Sequence, residues 1–359
     1  MSTKKTRRFC FGWKSRVLAT VLDGWHALFS RQESFPLEKP KRLLLSNWGS
    51  LGDVLLATSV IAPLKRRYPD CVIGFLVSER GKKPLDSTLG IDQIHICRWQ
   101  LNAKSTLGRI FQFMAFSTQT RSLVKEIASE RYDTFIELYP FFPNSIALAK
   151  AARIPQRLGF DTSGGGSLLT HCSEWGKDDY LLKCYPRLVK QLGIEETPTV
   201  QLILSHDNPL PEKPPLILHM GSSNEEKELP ITFWKTLYAL LKEEGLSVAF
   251  TGAGKRQNEM IAAVGAAGEE NQCDKLSWND FVCWLARAPC VVTIDSVSAH
   301  IAAAAERPLI VFYLKKPNIE LWKPEGALAF EKVPDPEEVV QAVKKQLVNR
   351  ETVDLHSYR

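Results

Sequence analysis

The sequence predicts an α/β protein built from two parallel-sheet halves, and three observations carry that expectation. Short apolar runs alternate with helical periodicities along most of the chain, the pattern of βαβ units. A polar stretch with four prolines, Ser205–Pro215, interrupts the alternation near its middle, after which it restarts. At 359 residues the chain also exceeds one ordinary core. Its 44% hydrophobic and 24% charged residues are those of a folded globular protein.

The first element is a basic arm. Residues 1–42 hold ten Lys or Arg against three acids, while the whole chain carries only +6, so the body is close to neutral. A nucleic-acid partner is not expected of such a body, which would need a basic face of its own. Within the arm Trp13, Val17, Val21, Trp25 and Leu28 recur every three or four residues, one face of a helix. Two readings stand: an interfacial helix whose cations meet anionic headgroups, or an ordinary helix packed on the body. Its apolar runs fall short of the roughly 18 residues a membrane span needs, and no secretory cleavage site follows.

In the first half, strands are expected at Arg42–Ser46, Val72–Val77, Gln93–Cys97 and Thr134–Leu138. Helices are expected at Val54–Tyr68, Leu107–Ala128, Asn144–Ala152 and Tyr180–Leu192, with a glycine-rich loop at residues 161–167. In the second half the strands are Leu216–Met220, Ser247–Thr251, Cys290–Ile294 and Leu309–Tyr313. Its helices are Ile231–Glu244, Lys255–Val264, Trp278–Arg287, Ala299–Ala304 and Pro336–Val348. The domain reading is an arm at 1–40, α/β halves at 41–205 and 206–335, and a C-terminal helix and tail at 336–359. Ligands of such sheets sit at strand carboxyl ends, here in a cleft between the halves. Eight scattered cysteines without a Cys-x-x-Cys pair favour buried thiols in a reducing cytoplasm over a zinc site.

Three stretches sit where ligands are expected. Ser46-Asn-Trp-Gly-Ser-Leu-Gly-Asp53 joins the first strand to a helix, and its glycines permit a sharp turn and close approach. Asp53 there reads either as a helix N-cap or as a carboxylate poised for chemistry. His219-Met-Gly-Ser-Ser-Asn-Glu-Glu-Lys-Glu-Leu-Pro230 offers Gly221, the hydroxyls and amides of Ser222 and Ser223, and the point charge of Lys227. These are the parts of a metal-free phosphate site, though a surface loop with a solvated lysine would look the same. Asp295-Ser-Val-Ser-Ala-His300 follows another strand, with Ser296 at the turn and His300 on the helix beyond it.

Other chemistries lack their residues. Thr251-Gly-Ala-Gly-Lys255 resembles a P-loop, but Ala249 replaces its first glycine and Arg256 its magnesium-binding hydroxyl. No Gly-x-Gly-x-x-Gly follows the first strand, no Asp-x-Asp pair stands in a metal position, and no Gly-x-Ser-x-Gly elbow is present.

The order Ser-Leu-Gly-Asp, then His-x-Gly-Ser-Ser with Lys-x-x-Pro, then Leu-Ser-Trp-x-x-Phe and Asp-Ser-x-x-x-His-x-Ala-Ala resembles glycosyltransferase family 9. These are the heptosyltransferases of lipopolysaccharide inner-core assembly. The resemblance runs from about Lys41 to about Pro324. It implies a GT-B fold, two Rossmann-like domains facing a central cleft. It also implies inverting, metal-independent transfer from ADP-heptose to a lipid-linked acceptor, with no cofactor. Asp53 then matches the carboxylate that takes the acceptor proton. Gly221, Ser222, Ser223, Lys227, Asp295, Ser296 and His300 match the donor-holding parts. Gly52 and the cations Arg80, Lys82, Lys83, Arg98, Lys104, Arg109 and Arg121 suit an anionic acceptor. Such a protein is expected in the cytoplasm, at most peripheral on the inner membrane face. Two departures stand out: Val297 where the family usually has glycine, and Leu314-Lys-Lys-Pro317 where it tends to have Gly-Pro-Thr. They leave open a diverged member that binds a nucleotide or glycan without transfer, or a GT-B nucleotide-sugar epimerase.

Overall fold

A computed structural model of the chain describes residues 36–98, 106–141, 144–162, 165–175, 180–314 and 316–356. The amphipathic segment of the arm therefore lies outside the described residues. Two compact units divide between Thr199 and Val200.

The first unit carries a six-stranded, wholly parallel sheet in the order β3-β2-β1-β4-β5-β6. Its strands are β1 (Arg42–Asn47), β2 (Val72–Ser78), β3 (Gln93–Cys97), β4 (Thr134–Glu137), β5 (Gln156–Phe160) and β6 (His171–Ser173). The first, second and fourth are buried almost end to end, because helices cover both faces of a parallel sheet. The expected helix Val54–Tyr68 is instead α1 (Leu51–Ala57), a 3-10 turn (Thr58–Val60) and α2 (Ile61–Arg67). Pro63 sits at the third position of α2, where it displaces none of that helix's own hydrogen bonds. The remaining helices are α3 (Lys83–Asp86), α4 (Thr106–Ser129), α5 (Asn144–Ala151) and α6 (Leu181–Val189). Strands β5 and β6 were not expected: Arg157 and Gly159 break the apolar run of one, and the other spans three residues.

The second unit has a five-stranded parallel sheet in the order β11-β10-β9-β7-β8. Strands β7 (Leu216–His219), β8 (Val248–Phe250), β9 (Val291–Ile294) and β10 (Leu309–Phe312) fall within their expected ranges, and β11 (Leu328–Phe330) is an addition. Its helices are α7 (Ile231–Glu243), α8 (Lys255–Val264), α9 (Trp278–Arg287), α10 (Val297–Ala304), α11 (Lys316–Trp322) and α12 (Pro336–His356). Phe233, Trp234 and Phe312 meet edge to face at centroid distances of 5.4–5.7 Å, the centre of the unit's core. No described helix is long and apolar enough to cross a membrane.

The proline-rich stretch forms no helix or strand, yet it is tied down. Backbone N–H groups of Asp207 and Asn208 both donate to Asp280 Oδ1, at 2.8 and 3.1 Å, and Asn208 Nδ2 donates to Oδ2 at 2.6 Å. Asp280 is fully buried in the first turn of α9, so these donors satisfy a carboxylate that water does not reach. Composition marked a linker, and the hydrogen bonds make it a strap.

At the opposite edge of the first sheet from the candidate site, polar groups are packed tightly. The buried His95 ring bridges Glu126 at 2.5 Å and the Tyr132 hydroxyl at 2.8 Å, and that hydroxyl donates to Gln93 Oε1 at 3.0 Å. Gly74 on β2 makes room: a Cβ there would lie 2.1 Å from the hydroxyl oxygen. Gly74→Ala should therefore destabilise the protein by about 1–3 kcal/mol, the usual cost of overpacking, read as a lower midpoint in urea unfolding. An unchanged midpoint would mean that Tyr132 moves aside at little cost.

Candidate functional site

Both sheets place candidate residues at their carboxyl edges. In the first, β1 ends at Asn47 and α1 begins at Leu51, three residues before the expected start. Ser50 is thus the N-cap and Asp53 the third helical residue. Asp53 Oδ2 accepts from the Ser50 N–H at 2.8 Å, the returning half of a capping box. Gly49 permits it, because a Cβ there would lie 2.4 Å from Asp53 Cβ and 2.6 Å from Oδ2. Buried Asn47 braces the turn from below, with Nδ2 donating to the Asp53 carbonyl at 3.1 Å and Oδ1 accepting from Gly49 N–H at 2.9 Å. Asp53 is 7% exposed and Gly52 is buried, so the turn holds the carboxylate in one place.

The cations of this half disperse. Arg80 is exposed in the short turn after β2. Lys82 lies 3.6 Å from Asp86, and Arg98, just past β3, lies 3.3 Å from Glu79. Lys83 is exposed, Lys104 lies outside the described residues, and the Arg109 side chain is likewise undescribed. Arg121 is in the second half of α4, the end that leads toward the amino end of β4 rather than the edge bearing Asp53. Arg80, Lys82 and Arg98 share the edge of the Asp53 turn by topology.

In the second unit the two expected motifs meet. Lys227 Nζ, in a 3-10 turn after β7, stands 2.8 Å from Asp295 Oδ2, at the end of β9. The lysine side chain is 25% exposed and the aspartate 7%, so this pair is largely sheltered. His300, on the first turns of α10, is 4% exposed, and its Nδ1 finds no hydrogen-bond partner among the described residues. A buried nitrogen without a partner beside a carboxylate and an ammonium calls for an explanation, and a ligand's hydrogen bond would supply one. Burial pushes the His300 imidazole down to about 4, with Lys227 adding to the effect and Asp295 opposing it. His219 is also held near 4 by burial, its Nδ1 2.9 Å from Thr251 Oγ1. Val297 needs no positive φ: it opens α10 after Ser296, an extended N-cap residue. The replacement for the family's glycine therefore costs no backbone strain. Lys315 lies outside the described residues, and Lys316 begins α11.

One expected donor is already engaged. The Ser222 N–H donates to Glu228 Oε1 at 2.8 Å, rather than standing open. Arg256 grips the same carboxylate with both terminal nitrogens, at 2.6 and 2.7 Å, and donates to the Ser222 carbonyl at 2.8 Å. Gln257 presses against Gly221, where a Cβ would fall 2.1 Å from its carboxamide carbon. Ser223 stays exposed. Glu228, Arg256 and Gln257 were not singled out in the sequence. In the sequence Arg256 stands out only as the residue that spoils a P-loop, and Glu228 falls within the His219–Pro230 loop without a role of its own. Among the described residues no group of three or more His, Cys, Asp or Glu has the geometry to hold a metal.

Known proteins resemble this chain in sequence and in fold. The model of glycosyltransferase family 9 (heptosyltransferase) matches residues 120–328. Lipooligosaccharide heptosyltransferase 2 of Haemophilus influenzae is 26% identical over 293 residues, 73% of this chain and 80% of that protein. Among solved structures, a family 9 glycosyltransferase of Veillonella parvula superposes with a TM-score of 0.68 at 17% identity, covering 88% of this chain and 99% of its own. An Escherichia coli heptosyltransferase solved with ADP gives 0.67 at 16% identity, covering 85% and 99%.

The two neutral buried imidazoles give the second unit a pH signature. An unfolded imidazole takes up its proton near 6.5, whereas these wait until about 4. Stability contributed by keeping them neutral is present above about 6.5 and is lost as pH falls through that window toward 4. His300→Gln should flatten the decline of the melting temperature between pH 7 and 5, measured by calorimetry. A slope equal to wild type would mean that His300 is protonated in the folded protein.

Proposed function

The chain belongs to glycosyltransferase family 9, and from that premise we propose that it moves a heptose-type sugar from a nucleoside-diphosphate donor, ADP-heptose first among candidates, to a lipid-linked lipopolysaccharide core acceptor. Its fold class is GT-B, with two Rossmann-like parallel-sheet units. The observation that carries the donor half of the reading is the meeting of Lys227, Asp295 and His300 at one sheet edge. In this reading the second half, residues 206–335, holds the nucleotide sugar, and the first, 41–205, presents the acceptor.

The chemistry fits those groups. A diphosphate entering beside Lys227 meets an ammonium, the N-terminal amides of α10 and the orphan nitrogen of His300. Asp295 keeps the lysine aimed before the ligand arrives, so little reorganisation is left for the reaction. Fixed donors of this kind disperse the charge of the departing diphosphate, which makes metal-independent transfer reasonable. Asp53 would take the proton of the attacking hydroxyl as it adds to the anomeric carbon opposite the leaving group, with inversion. Arg80, Lys82 and Arg98 would meet acceptor phosphates or carboxylates. The basic arm, if it lies on anionic lipid, would keep the enzyme at the inner face of the membrane that bears its acceptor. The non-catalytic alternative drew on Val297 and on Leu314-Lys-Lys-Pro317 in place of Gly-Pro-Thr, and the helical backbone of Val297 answers only the strain it would have cost.

Titration with nucleoside diphosphates and transfer assays with ADP-heptose and a core lipid test the reading together. Failure of ADP, UDP and GDP to bind, or binding without transfer, would overturn it. Lys227→Ala should weaken diphosphate binding about tenfold or more in calorimetry, with a smaller loss at high salt. Affinity unchanged at low salt would return Lys227 to an internal tether for Asp295. Asp53→Asn should lower kcat about a hundredfold or more while donor affinity holds. A variant with full turnover would remove Asp53 from proton transfer.

A further inference from the structure

One ionisable group at the edge of the first sheet has no part in the reaction as described. Glu137 is the last residue of β4, 3% exposed, directly across the ladder from Ser46 of β1. Its Oε1 accepts from Tyr139 N–H at 2.9 Å, and its Oε2 is in close contact with the hydroxyl of Ser145 on α5. On the β5 side it abuts Gly159, where a Cβ would come within 3.2 Å of Glu137 Cβ. The carboxyl thus gathers the ends of two strands, the turn after β4 and the head of the next helix.

From there a path of contacts reaches the Asp53 turn. Leu138 follows Glu137, and its carbonyl accepts from the hydroxyl of Tyr185 on α6 at 3.3 Å. Tyr185 is fully buried and its oxygen is also approached by the side chain of Asn47. Asn47 is the residue that fixes both Gly49 and the Asp53 carbonyl. The charged and titratable groups that face this cluster are Asp53 from α1, Tyr139 from the turn after β4, and Tyr185 and Cys184 from α6. Among the described residues no cation joins them.

We propose that Glu137 is a positioning residue for the acceptor half of the reaction: its carboxyl sets the turn after β4 and, through Leu138, Tyr185 and Asn47, the turn that carries Asp53. This rests on the functional reading above. Glu137 holds its place as a neutral acid. Burial without a cation drives its pKa well above the ordinary carboxylate value. The Ser46 side chain on the neighbouring strand also reaches the carboxyl and, with the Tyr139 N–H, opposes that rise without cancelling it. A second negative charge is thereby kept from the neighbourhood of Asp53, whose own ionised form the proton transfer requires. As pH rises through the raised pKa, Glu137 ionises, the cluster acquires an unpaired buried charge, and both stability and the geometry at Asp53 are lost.

Three variants of the full chain test this against a merely structural role. Glu137→Gln keeps a neutral, hydrogen-bonding side chain of the same size. It should hold acceptor kcat/KM within about threefold of wild type at a pH where Glu137 is protonated and lack part of the wild-type decline as pH rises. Glu137→Ala should lower kcat/KM for the acceptor by about tenfold to a hundredfold, while ADP affinity measured by calorimetry stays within about twofold. Glu137→Asp, too short to reach both Tyr139 and Ser145, should resemble the alanine variant and serves if alanine fails to fold. A folded alanine or aspartate variant with wild-type kcat/KM, or a glutamine variant whose pH profile matches wild type, would overturn the inference alone. Absence of transfer by the wild-type protein would overturn the functional reading and this inference with it.

Discussion

Parallel pairing is the constraint from which the rest follows. Every strand of a parallel sheet ends at the same edge, and each is followed there by the turn that begins its return. Residues far apart in the chain are delivered to that edge because each stands at the end of a strand or in the connection that follows it. Lys227 and Asp295 meet at 2.8 Å for this reason, one after β7 and the other at the end of β9, its neighbour in the ladder. The same geometry sets Asp53, Glu137, Arg80 and Arg98 around the edge of the other sheet. Helices covering both faces then bury the ladder, and they keep partly sheltered groups such as Asp295 and His300 from full hydration.

Much of this was legible in the sequence because parallel strands buried on both faces are nearly pure apolar runs. Leu43-Leu-Leu and Val291-Val-Thr-Ile294 state their role without ambiguity. Where an element is short or interrupted, the signal fails. Arg157 hid β5, although its guanidinium leaves the strand to hydrogen-bond the carbonyls of Ile154, Pro155 and Leu168. The three-residue strands β6 and β11 carry too few positions for a period to show. Helix starts were read late at Asp53 and Val297, because the sequence marks a cap by residue type and the backbone decides which residue takes it.

The site divided along a similar line. Asp53, Lys227 and His300 stand out in the sequence as candidates because they follow apolar strands in polar turns. Residues whose role is to hold others do not. Glu137 differs from an ordinary strand-end acid only in being enclosed, and Tyr185 differs from any helical tyrosine only in what its hydroxyl reaches. Such roles depend on contacts between segments 40 or more residues apart, for which a single sequence carries no local period or spacing.

The brace under the second loop has an evolutionary consequence. Glu228 closes on Ser222, and Arg256 closes on both. Loss of Arg256 alone strands Glu228 in a sheltered place, whereas exchanging both for a matched uncharged pair removes the penalty altogether. Within the lineage of this chain, positions 228 and 256 are therefore expected to drift as a couple. Intermediates with one partner changed should be rare, and the loop they support should be free to vary in sequence only where that couple is kept or replaced whole.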